Sequence, residues 1–136
     1  MLTELLYWDG SVQHSVLVDG IAQVRSAIAR VIGEEQGLAR GFSLSEPGAE
    51  DSPVSLAIAV GSIGWALIHT DDALDQHRIV ADSDSDSDLS IDVLFDEVTP
   101  IPCSWFIAPA FAHIAITQWL TDRTLSPEIE WADDAT

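Results

Sequence analysis

The sequence predicts an α+β fold, an antiparallel sheet of about six to seven strands with two helices packed on one face. Three observations lead there. Short runs rich in Val, Ile, Leu and aromatic residues are separated by Gly, Pro, Asp and Ser, the pattern of strands divided by turns. Two longer stretches repeat apolar residues at three- and four-residue steps, the period of a helix face. At 136 residues and 47% hydrophobic, the chain can bury one core without disulfide support, so 1–136 is expected to be a single domain.

The run from Leu5 to Val18 is divided by Asp9-Gly10, and Asp-Gly supplies the positive φ angles of a tight hairpin turn. Asp19 then offers an N-cap to a first helix over roughly 20–35, in which Ile21, Val24, Ile28, Val31 and Ile32 form one apolar stripe. Arg25 and Arg30 fall outside the stripe, and Gly33 or Gly37 ends it. Gly41–Ser45 and Val54–Val60 read as strands joined by a loop that holds Pro47, Gly48 and Pro53. Gly61-Ser62 turns the chain into a further strand, Ile63–Ile68.

From Thr70 the character changes, and Asp71 to Glu97 holds ten acids and one arginine. Within it, Asp82 to Asp88 alternates Asp and Ser as an acidic low-complexity loop, 82–88. Leu89–Phe95 returns to strand-like alternation, with Leu89, Ile91 and Val93 opposed to Ser90, Asp92 and Leu94. Pro100 and Pro102 break the chain. Pro109 suits the first turn of a second helix, with Phe111, Ile114, Ala115, Gln118 and Trp119 on one face and Ile116 and Leu120 off it. Apolar over more than half its circumference, that helix packs deeply or forms half of an interface. Ile28 and Ile114 are both expected against the sheet. Glu128–Trp131 closes the chain as a last short strand.

Twenty-three acids stand against five basic residues, all arginine, for a formal net charge of −18. A chain so charged and poor in apolar residues would stay disordered. This one has the apolar residues, so the charge is expected on a compact surface. Such a surface repels nucleic acid and anionic membrane and draws basic proteins from a distance. A halophile's solvating surface would have the same composition. The lone Cys103 rules out an intramolecular disulfide, the start of the chain lacks the basic region of a signal peptide, and no apolar run is long enough to span a bilayer. A cytoplasmic location is the expectation.

Motifs that carry chemistry are missing. No Walker loop, dinucleotide glycine motif, nucleophile elbow or zincin helix occurs. Pro102-Cys103 opens like a zinc deaminase motif, but the second cysteine and the His-x-Glu are lacking. Cys103 and His113 read as a small buried residue and a helix-face histidine rather than a thiolate pair. His69, Asp71, Asp72, Asp75 and His77 are the densest set of possible ligands, and a solvated acidic loop with two ordinary histidines accounts for them. Asp82-x-Asp-x-Asp opens like a calcium loop, but Ser87 replaces the needed glycine and Val93 the bidentate glutamate. No catalytic residue, metal site or cofactor is assigned, and the chain is read as not an enzyme.

Among five tryptophans (Trp8, Trp65, Trp105, Trp119 and Trp131), three or four are expected in the core. Trp105 is the exception, because it lies between proline breakers beside the acidic region, where an exposed tryptophan would anchor an interface.

An N-terminal hairpin with Trp8-Asp9-Gly10, an amphipathic helix, a β-meander, a penultimate helix and a terminal Ile129-x-Trp131 resemble the small actinobacterial immunity proteins of polymorphic toxin systems. Thr121–Pro127 departs from that family's Thr-Gly-x-Arg-Pro segment, and the Asp-Ser tract replaces its glycine-rich hairpin. The resemblance implies an immunity protein that binds a cognate toxin, one that targets nucleic acid as a deaminase does, and blocks its active site. The charge independently fits a basic cleft. Asp82, Asp84, Asp86, Asp88, Asp92, Asp96, Glu97 and Trp105 are the candidate partner-binding residues. The alternative is a non-catalytic acidic adaptor or chaperone for a basic partner protein.

Overall fold

The computed structural model describes residues 2–9, 12–34, 39–45, 54–61, 64–71, 76–80, 89–95, 97–122 and 131–133. Among these residues nine strands and two α-helices run in the order β1 (Thr3–Asp9), β2 (Val12–Val18), α1 (Ile21–Glu34), β3 (Ala39–Ser45), β4 (Val54–Gly61), β5 (Gly64–Asp71), β6 (Gln76–Val80), β7 (Ser90–Leu94), β8 (Val98–Pro102), α2 (Pro109–Asp122) and β9 (Trp131–Asp133). The main sheet is antiparallel throughout its seven-strand path, β2-β1-β3-β4-β5-β6-β9. The expected α+β architecture is therefore present. The sheet also forks: β7 pairs in parallel with Ala39 and Arg40 of β3, and among the described residues β8 pairs only with β7.

Both helices close over one face. Leu5, Phe42, Leu44, Leu56, Ile58 and Leu67 alternate along their strands toward that face, as the two-residue period of a strand requires. They meet Val24, Ile28 and Val31 of α1 and Ala112, Ala115, Ile116, Trp119 and Leu120 of α2. Val24, Ile28 and Val31 of the expected α1 stripe are buried and Ile21 partly so, while the Ile32 side chain lies outside what is described. The α2 face is turned from the expected one: Phe111 is 55% and Ile114 40% exposed, while Ile116 and Leu120 are buried. Ala112, Ala115, Ile116, Trp119 and Leu120 follow the three- and four-residue rule just as well, and small Ala112 and Ala115 let the helix sit close to the sheet.

A second, smaller core lies on the other face, where Ala59 and Ala66 of the sheet are covered by Val93, Ile101 and Phe106. The Phe95 ring lies where a side chain on Gly41 would have to be, and it meets Trp8 edge-on at 6.1 Å. At the fork, buried Arg40 donates from Nη1 to the Trp8 carbonyl at 2.7 Å. After the 3₁₀ turn Cys103–Trp105, Ile107 exchanges two backbone hydrogen bonds with Trp65, at 2.8 and 2.9 Å. Gly64, at φ +149°, leaves room for the Ile107 carbonyl that any side chain there would strike.

Several local readings change. β6 arises within the acidic stretch, where no strand was expected. The prolines break nothing: Pro100 and Pro102 sit in edge strand β8, where a missing N–H leaves no ladder partner stranded. Gly20, at φ +113°, takes the cap position of α1, its carbonyl accepting from Val24 N–H, while the Asp19 N–H donates to Gln23 Oε1 at 2.6 Å. Gly61 belongs to β4, paired with Gly64, so the connection is 62–63. Residues 128–130 of the expected last strand lie outside the described residues, and β9 is described over Trp131–Asp133. Of the tryptophans with described side chains only Trp119 is fully buried, and Trp8, Trp65 and Trp105 are half-buried.

Candidate functional site

Acid is distributed unevenly along this fold. Between Gly10 and Gly33 the only acid is Asp19, and Pro109 to Thr121 of α2 holds none. The two helices hold Arg25 and Arg30 against Glu34 and Asp122, each the last residue of its helix, so the helical layer is formally neutral.

That hairpin presents two unlike faces. Val93 and Ile101 turn inward and are buried. Ser90, Asp92, Val98 and Pro100 are exposed, with Asp92 directly opposite Pro100 and Leu94 opposite Val98. Glu97 is exposed in the connection, on a backbone held by two hydrogen bonds: its carbonyl accepts from Phe95 N–H at 3.2 Å and from Thr99 Oγ1 at 3.3 Å. Asp92 and Glu97 are therefore charges on an ordered frame, flanked by apolar Val98, 51% exposed, and Leu89, 72% exposed. Acid beside exposed apolar surface can do two things: steer a basic partner at range and bury area on contact.

Asp82, Asp84, Asp86, Asp88 and Asp96 lie outside the described residues. Trp105 is not the exposed anchor expected from its proline neighbours, since it is half-buried and packs on the second core. The proline-containing segment is a strand, and a strand docks its following turn onto the sheet. Val98 and Leu89 are the exposed apolar residues instead, and only the β8 assignment could have revealed Val98.

His69 is buried on β5 opposite Arg78, whereas His77 lies opposite Thr70, and Asp72 and Asp75 lie outside the described residues. Among the described residues no group of three or more His, Cys, Asp or Glu could hold a metal ion. Nor is any described helix long and apolar enough to cross a membrane.

A groove between α1 and α2, of about 690 Å³, was not foreseen. Ile28, Val60 and Trp65 line it with Arg25 and His113, and these last two also line a neighbouring hollow of about 380 Å³. His113 meets Trp65 edge-on at 4.7 Å, and its buried Nε2 has no hydrogen-bond partner among the described residues. Burial first, and the Arg25 charge second, lower the His113 pKa below the ordinary 6.5. The groove thus holds one guanidinium and a histidine biased to neutrality.

Comparison with protein-family models, with curated proteins and with solved structures found no match for this chain.

Proposed function

We propose that this chain is an immunity protein: it binds a basic, nucleic-acid-targeting toxin and occludes its active site in the cell that makes both. A deaminase is the toxin class that the resemblance names. One observation carries the reading, a formal charge of −18 held by a chain that folds around a continuous core. A toxin that acts on nucleic acid needs a basic cleft, and a folded polyanion competes for it with the substrate. Attraction between opposite charges raises association toward about 10⁸–10⁹ M⁻¹s⁻¹ at low salt, which suits an inhibitor that must bind before damage occurs. Asp92 and Glu97, with Asp82, Asp84, Asp86, Asp88 and Asp96 nearby in sequence, are the residues assigned to steering. Val98 and Leu89 are assigned to the contact itself, and a cytoplasmic site of action goes with the reading.

Co-expression with the product of the adjacent gene tests it. The expected result is a co-purifying complex in which the toxin no longer acts on nucleic acid. Binding without inhibition would mark an acidic adaptor or chaperone instead, and no complex at all would overturn both.

A further inference from the structure

Among the described residues the outer edge of β2 is open. There β2 ends the strand order, forms its ladder with β1 alone, and every residue from Val12 to Leu17 is exposed. Natural sheets blunt such an edge with lysine, proline, a bulge or an inward-pointing charge. Val12–Val18 contains no lysine, proline or acid, and its register runs without a bulge from Thr3↔Val18 to Asp9↔Val12. Val12, Val16 and Leu17 are 56%, 39% and 54% exposed, so apolar side chains stand on both faces of the strand.

The direction of its free backbone groups follows from the ladder. Hydrogen-bonded and non-hydrogen-bonded pairs alternate between antiparallel strands. The Trp8 carbonyl accepts from Arg40 of β3, on the side away from β2, so Trp8↔Gln13 is a non-hydrogen-bonded pair. By alternation Leu6↔Ser15 and Glu4↔Leu17 are of the same kind. Gln13, Ser15 and Leu17 therefore aim their N–H and C=O groups outward.

Charge decides what can lie there. From Val12 to Glu34, which spans β2 and α1, the chain holds two arginines, one aspartate and one glutamate, a formal sum of zero in a chain of −18. This edge and the helix after it form a region where two copies can meet without bringing many acids together. We propose that β2 pairs antiparallel with β2 of a second copy, about a twofold axis at Ser15. That register sets Ser15 against Ser15 of the partner subunit and Gln13 against Leu17 of the partner subunit. All three outward-facing residues then exchange both backbone bonds, six in all, by the pairing rule of antiparallel ladders. The contact is isologous and closes on itself, so it gives a dimer and not a fibre.

A single strand pair is a small interface, so the dimer is concentration-dependent. Repulsion between the two acidic bodies opposes it, and salt screens that repulsion over about 8 Å at physiological strength. Salt must therefore strengthen self-pairing, the reverse of its effect on a basic partner. The two ideas fail separately.

Sedimentation of the purified chain from micromolar to millimolar concentration, at low and high salt, tests the proposal. The expected result is a two-chain mass that grows with protein and with salt, and slower amide exchange at Gln13, Ser15 and Leu17 as it grows. Ser15→Pro removes an outward N–H that β1 does not use, so it should abolish the dimer and leave the circular dichroism unchanged. Gln13→Glu with Leu17→Glu, which sets acid against acid across the axis, should do the same should the proline disturb the fold. A one-chain mass at millimolar protein in high salt would overturn the proposal, as would a folded Ser15→Pro or Gln13→Glu/Leu17→Glu variant that dimerises like the parent.

Discussion

His113 stands where burial and charge act in the same direction. Its neutral form is favoured in the folded protein, so the unfolded chain binds more protons as pH falls past about 6.5. The stability it contributes is complete above that value and is lost as pH falls through the lower folded value. The wild type should lose thermal stability relative to His113→Gln between about pH 7 and pH 5, and the difference between the two melting curves removes the background of titrating carboxylates. A constant difference would mean that His113 is not shielded by Trp65 and α1. Gly41 offers a second test. A side chain there meets the Phe95 ring, so Gly41→Ala should destabilise by about 1–3 kcal/mol. The loss should be markedly smaller in a Phe95→Leu background, because residues in contact are not additive. Neither residue could be singled out from sequence, since a histidine within an apolar helix and a glycine within a strand both have commonplace explanations. What decides them is contact with Trp65 and Phe95, far away in the chain.

At the scale of elements, the two helices differ in how far periodicity determines a face. α1 has arginines, glutamine and serine opposite its stripe, so only one face can be buried, and Ile28 is buried as its spacing requires. α2 is apolar nearly all round, so several faces satisfy the same spacing, and the sheet selects the one with two small alanines. Ile116→Ala and Ile28→Ala should each cost about 2–5 kcal/mol. Ile114→Ala should cost about 0.5 kcal/mol or less, and chemical denaturation of the three variants checks the ranking. An Ile114 variant as damaging as Ile116 would contradict the orientation of α2. The strands follow the same logic. β1–β5 and β7 were legible because apolar runs and glycine turns agree, whereas β6 and β8 were hidden by acids and prolines. Both features are compatible with strands near a sheet's margin, and β8 is itself an edge strand. The surface that carries the candidate site depends on β8, which explains why Asp92 and Glu97 could be named from sequence and their apolar neighbour Val98 could not.

For the whole molecule the decisive quantity is charge and where it lies. A core on both sides of the sheet holds together a chain of net charge −18 whose helices and β2 contribute none of that excess. Neutralising Asp92 and Glu97 together should slow association with a basic toxin and leave dissociation nearly unchanged, because exposed charges act on encounter. Val98→Ala should instead speed dissociation, since truncating a contact residue acts on the formed complex. The most direct measurement is the association rate between the purified chain and the product of its neighbouring gene across a range of salt concentrations. The expected result is fast association that falls steeply as salt rises, with loss of the toxin's action on nucleic acid at equal stoichiometry. An association rate indifferent to salt, or a bound toxin that remains active, would contradict the reading of this chain as an electrostatically steered, occluding immunity protein.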